Sequence, residues 1–181
     1  MNRPVPFSKN AKGVLPLFLC IAAGYLLGMV IFVISKASIS ATLAPDMSSA
    51  FDTETPLLCL ISCIGRELFP IALTFVMGFT LFAGWGAPAL AFMRSALASF
   101  SSVFVLAGAY PLHIYFIHSV YSLICLIILA FCALLSCRQS ALIVTEGGKS
   151  RAPDYCARML FYAGATVILV ILRHTLTAII G

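Results

Sequence analysis

The sequence predicts an all-α, polytopic integral membrane protein, a single-domain bundle of about five transmembrane helices over residues 1–181. Its mean hydropathy is +1.09, with 62% hydrophobic and 9% charged residues, whereas about 25% of the residues of soluble domains are charged. Several apolar runs reach the roughly 20 residues that a helix needs to cross a bilayer. The basic residues are scattered singly between these runs, which argues against a nucleic-acid partner, because such a partner requires a clustered basic face.

The first span is predicted over residues 14–35, after Arg3, Lys9 and Lys12. A cleaved signal peptide is the alternative, but the apolar core of a signal peptide is usually about 7–15 residues long, and this run is longer. Within the span, Gly24 and Gly28 form a GxxxG pattern, which lets the backbone of another helix approach closely. We expect these glycines to form a helix-packing or partner-binding face.

Residues 36–66 are predicted to form an external segment, since they include the most polar part of the chain. The segment contains half of the six acidic residues, namely Asp46, Asp52 and Glu54. Residues 56–64 are apolar but too short to cross a bilayer, so they are interpreted as an interfacial helix that lies on the membrane.

The second span is predicted over residues 68–93, with Glu67 and Arg94 at its two ends. Helix-weakening residues interrupt it at Gly78, Gly84, Gly86 and Pro88. In lipid, a broken helix is tolerated only where neighbouring protein or internal water satisfies the freed backbone groups. The pattern therefore predicts a bent central element inside a packed bundle, with Arg94 at its cytoplasmic end.

The third and fourth spans are predicted over residues 95–112 and 113–137. The third is short, so it either just crosses the membrane or re-enters on the same side. The fourth carries small residues at helical spacing, including Ser122 and Cys132, which indicates a second packing or partner-binding face.

The last span is predicted over residues 156–180, after a basic cytoplasmic loop at 138–155. Arg173 lies in the outer part of this span. We interpret it as a side chain that reaches the interface along its helix, and a contact with a partner or substrate is the alternative.

The distribution of basic residues predicts the orientation, because cytoplasmic loops are enriched in Lys and Arg. With five spans, most basic residues fall on the side of the N-terminus: Arg3, Lys9, Lys12, Arg94, Arg138, Lys149, Arg151 and Arg158. Lys36, Arg66 and Arg173 fall on the other side, together with Asp46, Asp52, Glu54 and Glu67. We therefore expect a multi-pass protein of the cell membrane with its N-terminus in the cytoplasm and its C-terminus outside.

The sequence predicts no catalytic, cofactor-binding or metal-binding site. The seven cysteines contain no CxxC pattern, and cysteines within membrane helices are typically packing residues. His113 and His118 are five residues apart, whereas a helical metal pair prefers three or four. We expect a protein that is not an enzyme.

One segment resembles a known family. Residues 78–88 are similar to a Gly-x-x-x-x-Gly-x-Pro run that an extra Trp85-Gly86 lengthens, and an apolar stretch and the basic Arg94 follow. This segment resembles the stage II sporulation protein M family of bacterial membrane proteins. The resemblance implies a scaffold without catalytic activity that holds cell-wall-remodelling partners, such as peptidoglycan hydrolases, at the membrane during sporulation and engulfment.

A small permease subunit that works with a separate ATPase is the alternative function. The broken second span supports it, because discontinuous helices often build transport sites. The sequence offers no second broken span and no deep charge, although a homo-oligomer would supply the missing half of such a site.

Overall fold

Five α-helices make up almost all of the part of the chain that the computed structural model describes, residues 8–35, 56–107, 112–146 and 152–180. The helices are α1 (Ser8–Ser35), α2 (Pro56–Met77), α3 (Ala83–Ala107), α4 (Leu112–Glu146) and α5 (Ala152–Ile180). All five are long and apolar enough to cross a membrane. The predicted fold class, an all-α membrane helix bundle with about five spans, is confirmed.

The helices alternate in direction along the chain. Phe32 of α1 contacts Phe100 of α3, with ring centroids 5.6 Å apart, and Leu17 clusters with Ala87, so α1 and α3 run parallel. α4 runs against α3, since Cys137 contacts Ala83. We name the end at which α1, α3 and α5 begin the basic end, because Arg138 and Arg158 lie there; the other end is the opposite end.

Small side chains bring the helices together. One face of α3 is buried and made almost entirely of small residues: Ala83, Ala87, Ala91, Ser95, Ala98, Ser99 and Ser102. α1 and α4 pack on this face, around a core that includes Leu17 and Ala133. A second core joins α2, α4 and α5 around Leu129 and Met159. Close packing of small residues is expected to hold membrane helices together, because lipid is as apolar as the helices and provides no hydrophobic driving force.

The predicted second span, residues 68–93, is wrong. α2 ends at Met77, residues 78–82 form a turn, and α3 begins at Ala83. The candidate membrane spans are therefore Leu60–Met77 and Ala83–Ala107. The sequence pattern predicts that Glu67 and Arg94 stand at the two ends of one span, whereas both lie inside helices. The helix-weakening residues mark a turn between two spans and the first turns of α3.

The remaining boundaries shift accordingly. The third span is a complete helix of 25 residues and not the short segment 95–112. Residues 56–66 belong to α2 and do not form an interfacial helix, while 36–55 lie outside the described residues. α4 continues to Glu146 and α5 begins at Ala152, so most of the predicted loop 138–155 is helical.

Candidate functional site

A salt bridge between α2 and α3 lies inside the bundle. Both carboxylate oxygens of Glu67 accept hydrogen bonds from Nη2 of Arg94. Only 4% of the Glu67 side chain and 18% of the Arg94 side chain are exposed. It is the single salt bridge that the described ranges contain.

The Glu67–Arg94 pair lies near the middle of the bundle. At 1.5 Å per residue, Arg94 is about 17 Å from Ala83 along α3, and Glu67 is about 15 Å from Met77 along α2. A charge at the centre of a bilayer costs about 2.5–3.5 kcal/mol on insertion scales. Pairing inside protein offsets much of this cost, which explains why neither residue has to mark a membrane boundary.

The space beside the pair is very small. A cavity of about 10 Å³ is lined by the pair together with Cys125 of α4, Thr166 of α5 and other side chains. This volume is close to the lower limit for one water molecule. In this conformation the pair is enclosed by four helices, and the cavity has no room for a solute.

A network of hydroxyl groups joins α2, α4 and α5 nearer the basic end. The Tyr155 hydroxyl donates to the carbonyl oxygen of Phe75 at 2.9 Å and lies 2.9 Å from Ser136 Oγ. Ser136 Oγ in turn lies 2.8 Å from the carbonyl oxygen of Thr74. The same two carbonyl oxygens also accept from the Gly78 N–H, so the two hydroxyls add side-chain hydrogen bonds that attach the end of α2 to α4 and α5.

The turn at 78–82 packs beside this network, against α4 and α5. Ser140 Oγ donates to the carbonyl oxygen of Thr80 at 2.6 Å. A Cβ atom at Gly78 would overlap the Tyr155 hydroxyl and lie 2.6 Å from its Cζ. Glycine at 78 is therefore required by the close approach of Tyr155, which gives this predicted site residue a structural role.

A second polar cluster lies toward the opposite end. Nε2 of the buried His118 lies 3.1 Å from Ser101 Oγ. The guanidinium of Arg173 lies 4.9 Å from the centre of the Tyr121 ring, a cation–π contact. Arg173 thus contacts α4 of its own chain. Several buried polar atoms have no partner among the described residues: Ser99 Oγ, His118 Nδ1, Ser119 Oγ, Tyr121 OH and Gln139 Nε2.

The GxxxG face of α1 is occupied within the chain. A Cβ atom at Gly24 would overlap Ser95 Oγ and the carbonyl oxygen of Phe92, and one at Gly28 would overlap the carbonyl oxygen of Ala96. The α1 and α3 backbones therefore touch at these glycines. This contact leaves no space for a separate protein at the face, so we no longer place a partner there.

The other predicted site residues lie in different surroundings. A Cβ atom at Gly84 would meet nothing within 4 Å, whereas one at Gly86 would lie 2.7 Å from the Met77 sulfur. Pro88 lies within the first two turns of α3. Ser122 is buried on α4. These residues and Arg94 do not form one site.

Sequence reasoning missed the charged residues inside α2. Arg66 and Glu67 are neighbours in the candidate span Leu60–Met77, but Glu67 is buried while Arg66 is exposed on the outside of the bundle. The available signal was the apolar sequence on both sides of this dipeptide. Because charges usually stand at membrane boundaries, sequence pattern alone predicts a boundary at this position.

The described residues contain no group of three or more His, Cys, Asp or Glu side chains that could hold a metal ion. No protein-family model, curated protein or solved structure matches the chain.

Proposed function

We propose that this chain is a membrane-embedded scaffold that binds another membrane protein through the exposed face of α2. Arg66 is the observation that carries this proposal. It lies beside Glu67, near mid-height of the bundle, yet it is exposed on the outside of the helix. In a bilayer this position faces hydrocarbon, where an arginine is costly unless it finds a polar partner.

The surroundings of Arg66 suit a second helix. Ser62, Gly65, Arg66 and Phe69 are all exposed and follow one another at the i, i+3, i+4 and i+7 spacing of a single helical face. A Cβ atom at Gly65 would meet nothing within 4 Å. We name these four residues the α2 face. Small residues beside a charge favour close approach of a helix that carries a carboxylate or a polar side chain.

Charge balance supports the same interpretation. The Glu67 carboxylate is taken by Arg94, and no other carboxylate of the described ranges forms an ion pair. Arg66, Glu67 and Arg94 together therefore carry a net charge of +1 near the middle of the bundle. A partner helix with an aspartate or glutamate at this height supplies the missing charge.

The resemblance to the stage II sporulation protein M family suggests the class of partner. Cell-wall-remodelling proteins such as membrane-anchored peptidoglycan hydrolases are the proposed partners, and the proposed role is to hold them at the cell membrane during sporulation and engulfment. The scaffold itself carries out no reaction in this proposal.

The proposed orientation places the basic end in the cytoplasm and the C-terminus outside. Arg138 and Arg158 lie at the basic end, and the sequence between α4 and α5 adds Lys149 and Arg151. Arg94 no longer counts toward this bias, since it lies within a span. A membrane-impermeant thiol reagent tests the orientation in a chain whose native cysteines are replaced and which carries one new cysteine. A cysteine added after Gly181 should be labelled in intact cells. Labelling of a cysteine placed at Lys149 would show the opposite orientation.

Affinity purification from the host in mild detergent, with mass spectrometry of the eluate, tests the scaffold. The informative pair of variants is Gly65→Leu and Gly164→Leu, because both glycines are exposed and neither has an atom within 4 Å of an added Cβ. One lies on α2 and the other on α5. We expect Gly65→Leu and Arg66→Leu to lose the partner, and Gly164→Leu and Arg66→Lys to retain it.

The identity of the captured proteins separates the functions. Wall-remodelling enzymes that depend on the α2 face support the scaffold. Equal recovery of partners with all four variants contradicts binding at this face, and capture of an ATPase with a solute-binding subunit replaces the scaffold by transport.

The Glu67–Arg94 pair favours a second candidate, a permease subunit that works with a separate ATPase. Ionisable residues deep in a membrane protein commonly mark substrate or ion pathways, and the polar cluster around His118 extends from the pair toward the opposite end. The glycines and proline that suggested a broken transport helix lie in and after a turn between two separate spans. The Glu67–Arg94 pair is therefore the main support for a transport function. A captured ATPase whose activity changes with Arg94→Lys, at unchanged protein level, would establish this function; the scaffold predicts no such dependence.

A further inference from the structure

A long groove runs along the outside of α4, with α1 on one side and the start of α5 on the other. Its volume is about 1100 Å³, and on α4 it extends from Ser119 to Arg138. The 19 helical rises between these two residues correspond to about 28 Å, which is close to the roughly 30 Å thickness of a hydrocarbon core. The groove is therefore long enough to hold extended acyl chains.

Most of the groove wall is apolar. Phe18 and Leu26 contribute from α1, Ile127 and Phe131 from α4, and Tyr162 from α5. The rings of Phe131 and Tyr162 stack with centroids 6.2 Å apart and planes 3° from parallel. Such a wall offers van der Waals contact to hydrocarbon chains along its whole length.

Two arginines from different helices converge at one end of this groove. Arg138 of α4 and Arg158 of α5 both line it, and both are exposed. Neither forms an ion pair with a carboxylate in the part of the chain that the structure describes. Cys137, next to Arg138, contacts Ala83 at the start of α3, and Tyr155, one turn before Arg158, contacts Phe75 near the end of α2. The arginines therefore lie near the height at which the α2 and α3 spans end, within reach of the phosphate groups of a bilayer.

A second groove, between α2 and α5, provides a comparison. It has a volume of about 300 Å³, and its lining residues, which include Leu68, Phe75 and Met159, carry no charge. Lipid would fill such a surface without selection by headgroup. The groove on α4 differs because its apolar wall ends at a pair of positive charges.

We propose that the groove on α4 is a binding site for an anionic phospholipid of the bilayer. The acyl chains lie along α4, between α1 and α5, and the phosphate accepts hydrogen bonds from Arg138 and Arg158. Basic pockets between transmembrane helices commonly bind acidic headgroups, and each arginine near a membrane surface adds attraction for them. Arginine also forms bidentate hydrogen bonds with phosphate oxygens.

Native mass spectrometry of the purified full chain tests this proposal, after equilibration with equal amounts of phosphatidylglycerol and phosphatidylcholine. We expect the wild-type chain to retain one phospholipid and to prefer phosphatidylglycerol. Arg138→Gln/Arg158→Gln should lower that preference roughly tenfold or more. Arg138→Lys/Arg158→Lys, which keeps both charges, should retain most of it.

A steric variant tests the location of the lipid independently. Ala22 lines the groove and Ala23 does not, although both are exposed residues of α1. Ala22→Trp should reduce the retained lipid several-fold, while Ala23→Trp should leave it unchanged. Equal lipid retention by the two tryptophan variants, or an unchanged headgroup preference in the glutamine variant, overturns the proposal; circular dichroism confirms that each variant keeps its helices.

Discussion

The charged residues on the two sides of α2 differ in burial and in pairing. Glu67 faces the interior, is 4% exposed and pairs with Arg94, whereas its neighbour Arg66 faces outward and is exposed. Both lie at nearly the same height in the bundle. The comparison indicates that the interior satisfies its own charges, while the exterior of α2 requires something from its surroundings. We therefore place structural stability on the inward side and the proposed partner on the outward side.

The largest expected effect comes from breaking the inward pair. Arg94→Leu leaves the buried Glu67 carboxylate without its partner, which should lower the free energy of unfolding by about 3–5 kcal/mol. Unfolding of the purified protein in detergent, followed by circular dichroism, measures the loss. Arg66→Leu should leave the stability within about 0.5 kcal/mol of wild type or raise it, because it removes a charge that faces lipid.

A double variant sharpens this result. Glu67→Leu/Arg94→Leu replaces the pair by apolar side chains and should recover most of the stability lost in the single variant. Equal loss in the single and double variants would show that the pair is not the reason for the destabilisation.

The second expected effect concerns packing faces. Gly28→Leu forces a side chain into the backbone of Ala96 and should separate α1 from α3, at a cost of about 1–3 kcal/mol. Gly65→Leu enters open space on the α2 face and should change the free energy of unfolding by less than about 0.5 kcal/mol. The same unfolding measurement compares the two glycines. Similar losses would contradict the assignment of one glycine to the interior and the other to the surface.

A smaller effect distinguishes two buried tyrosines. Tyr155 is 4% exposed and Tyr121 is 5% exposed, but only the Tyr155 hydroxyl has hydrogen-bond partners among the described residues. Tyr155→Phe should cost about 1 kcal/mol of unfolding free energy, and Tyr121→Phe should cost close to nothing. A larger loss for Tyr121→Phe would show that its hydroxyl has a partner in the folded protein.

Much of the architecture was predictable from hydropathy. The fold class and the approximate number of spans follow from apolar runs of sufficient length, and the first span coincides with the helix segment Val14–Ser35. Hydropathy succeeds here because every span must satisfy its backbone hydrogen bonds internally. It records how apolar a segment is, but not which segments meet.

The division between α2 and α3 was not predictable in the same way. Charges near an apolar run usually mark its ends, so Glu67 and Arg94 suggested one span where the structure has two. Glu67 and Arg94 are 27 residues apart, so the sequence gives no sign of their contact. The contact exists because the turn at 78–82 brings the two helices side by side. The close contact of Gly24 and Gly28 with α3 was hidden for the same reason: a GxxxG pattern indicates a packing face without naming its partner.

Photo-crosslinking in host membranes tests the central claim most directly. A photoreactive amino acid at Phe69, which is 67% exposed on the α2 face, is compared with one at Leu97, which is 60% exposed on α3. We predict a crosslink to a second membrane protein from position 69 that Arg66→Leu abolishes, and no such product from position 97. No protein crosslink at position 69, or the same product from both positions, would contradict a scaffold that binds through α2.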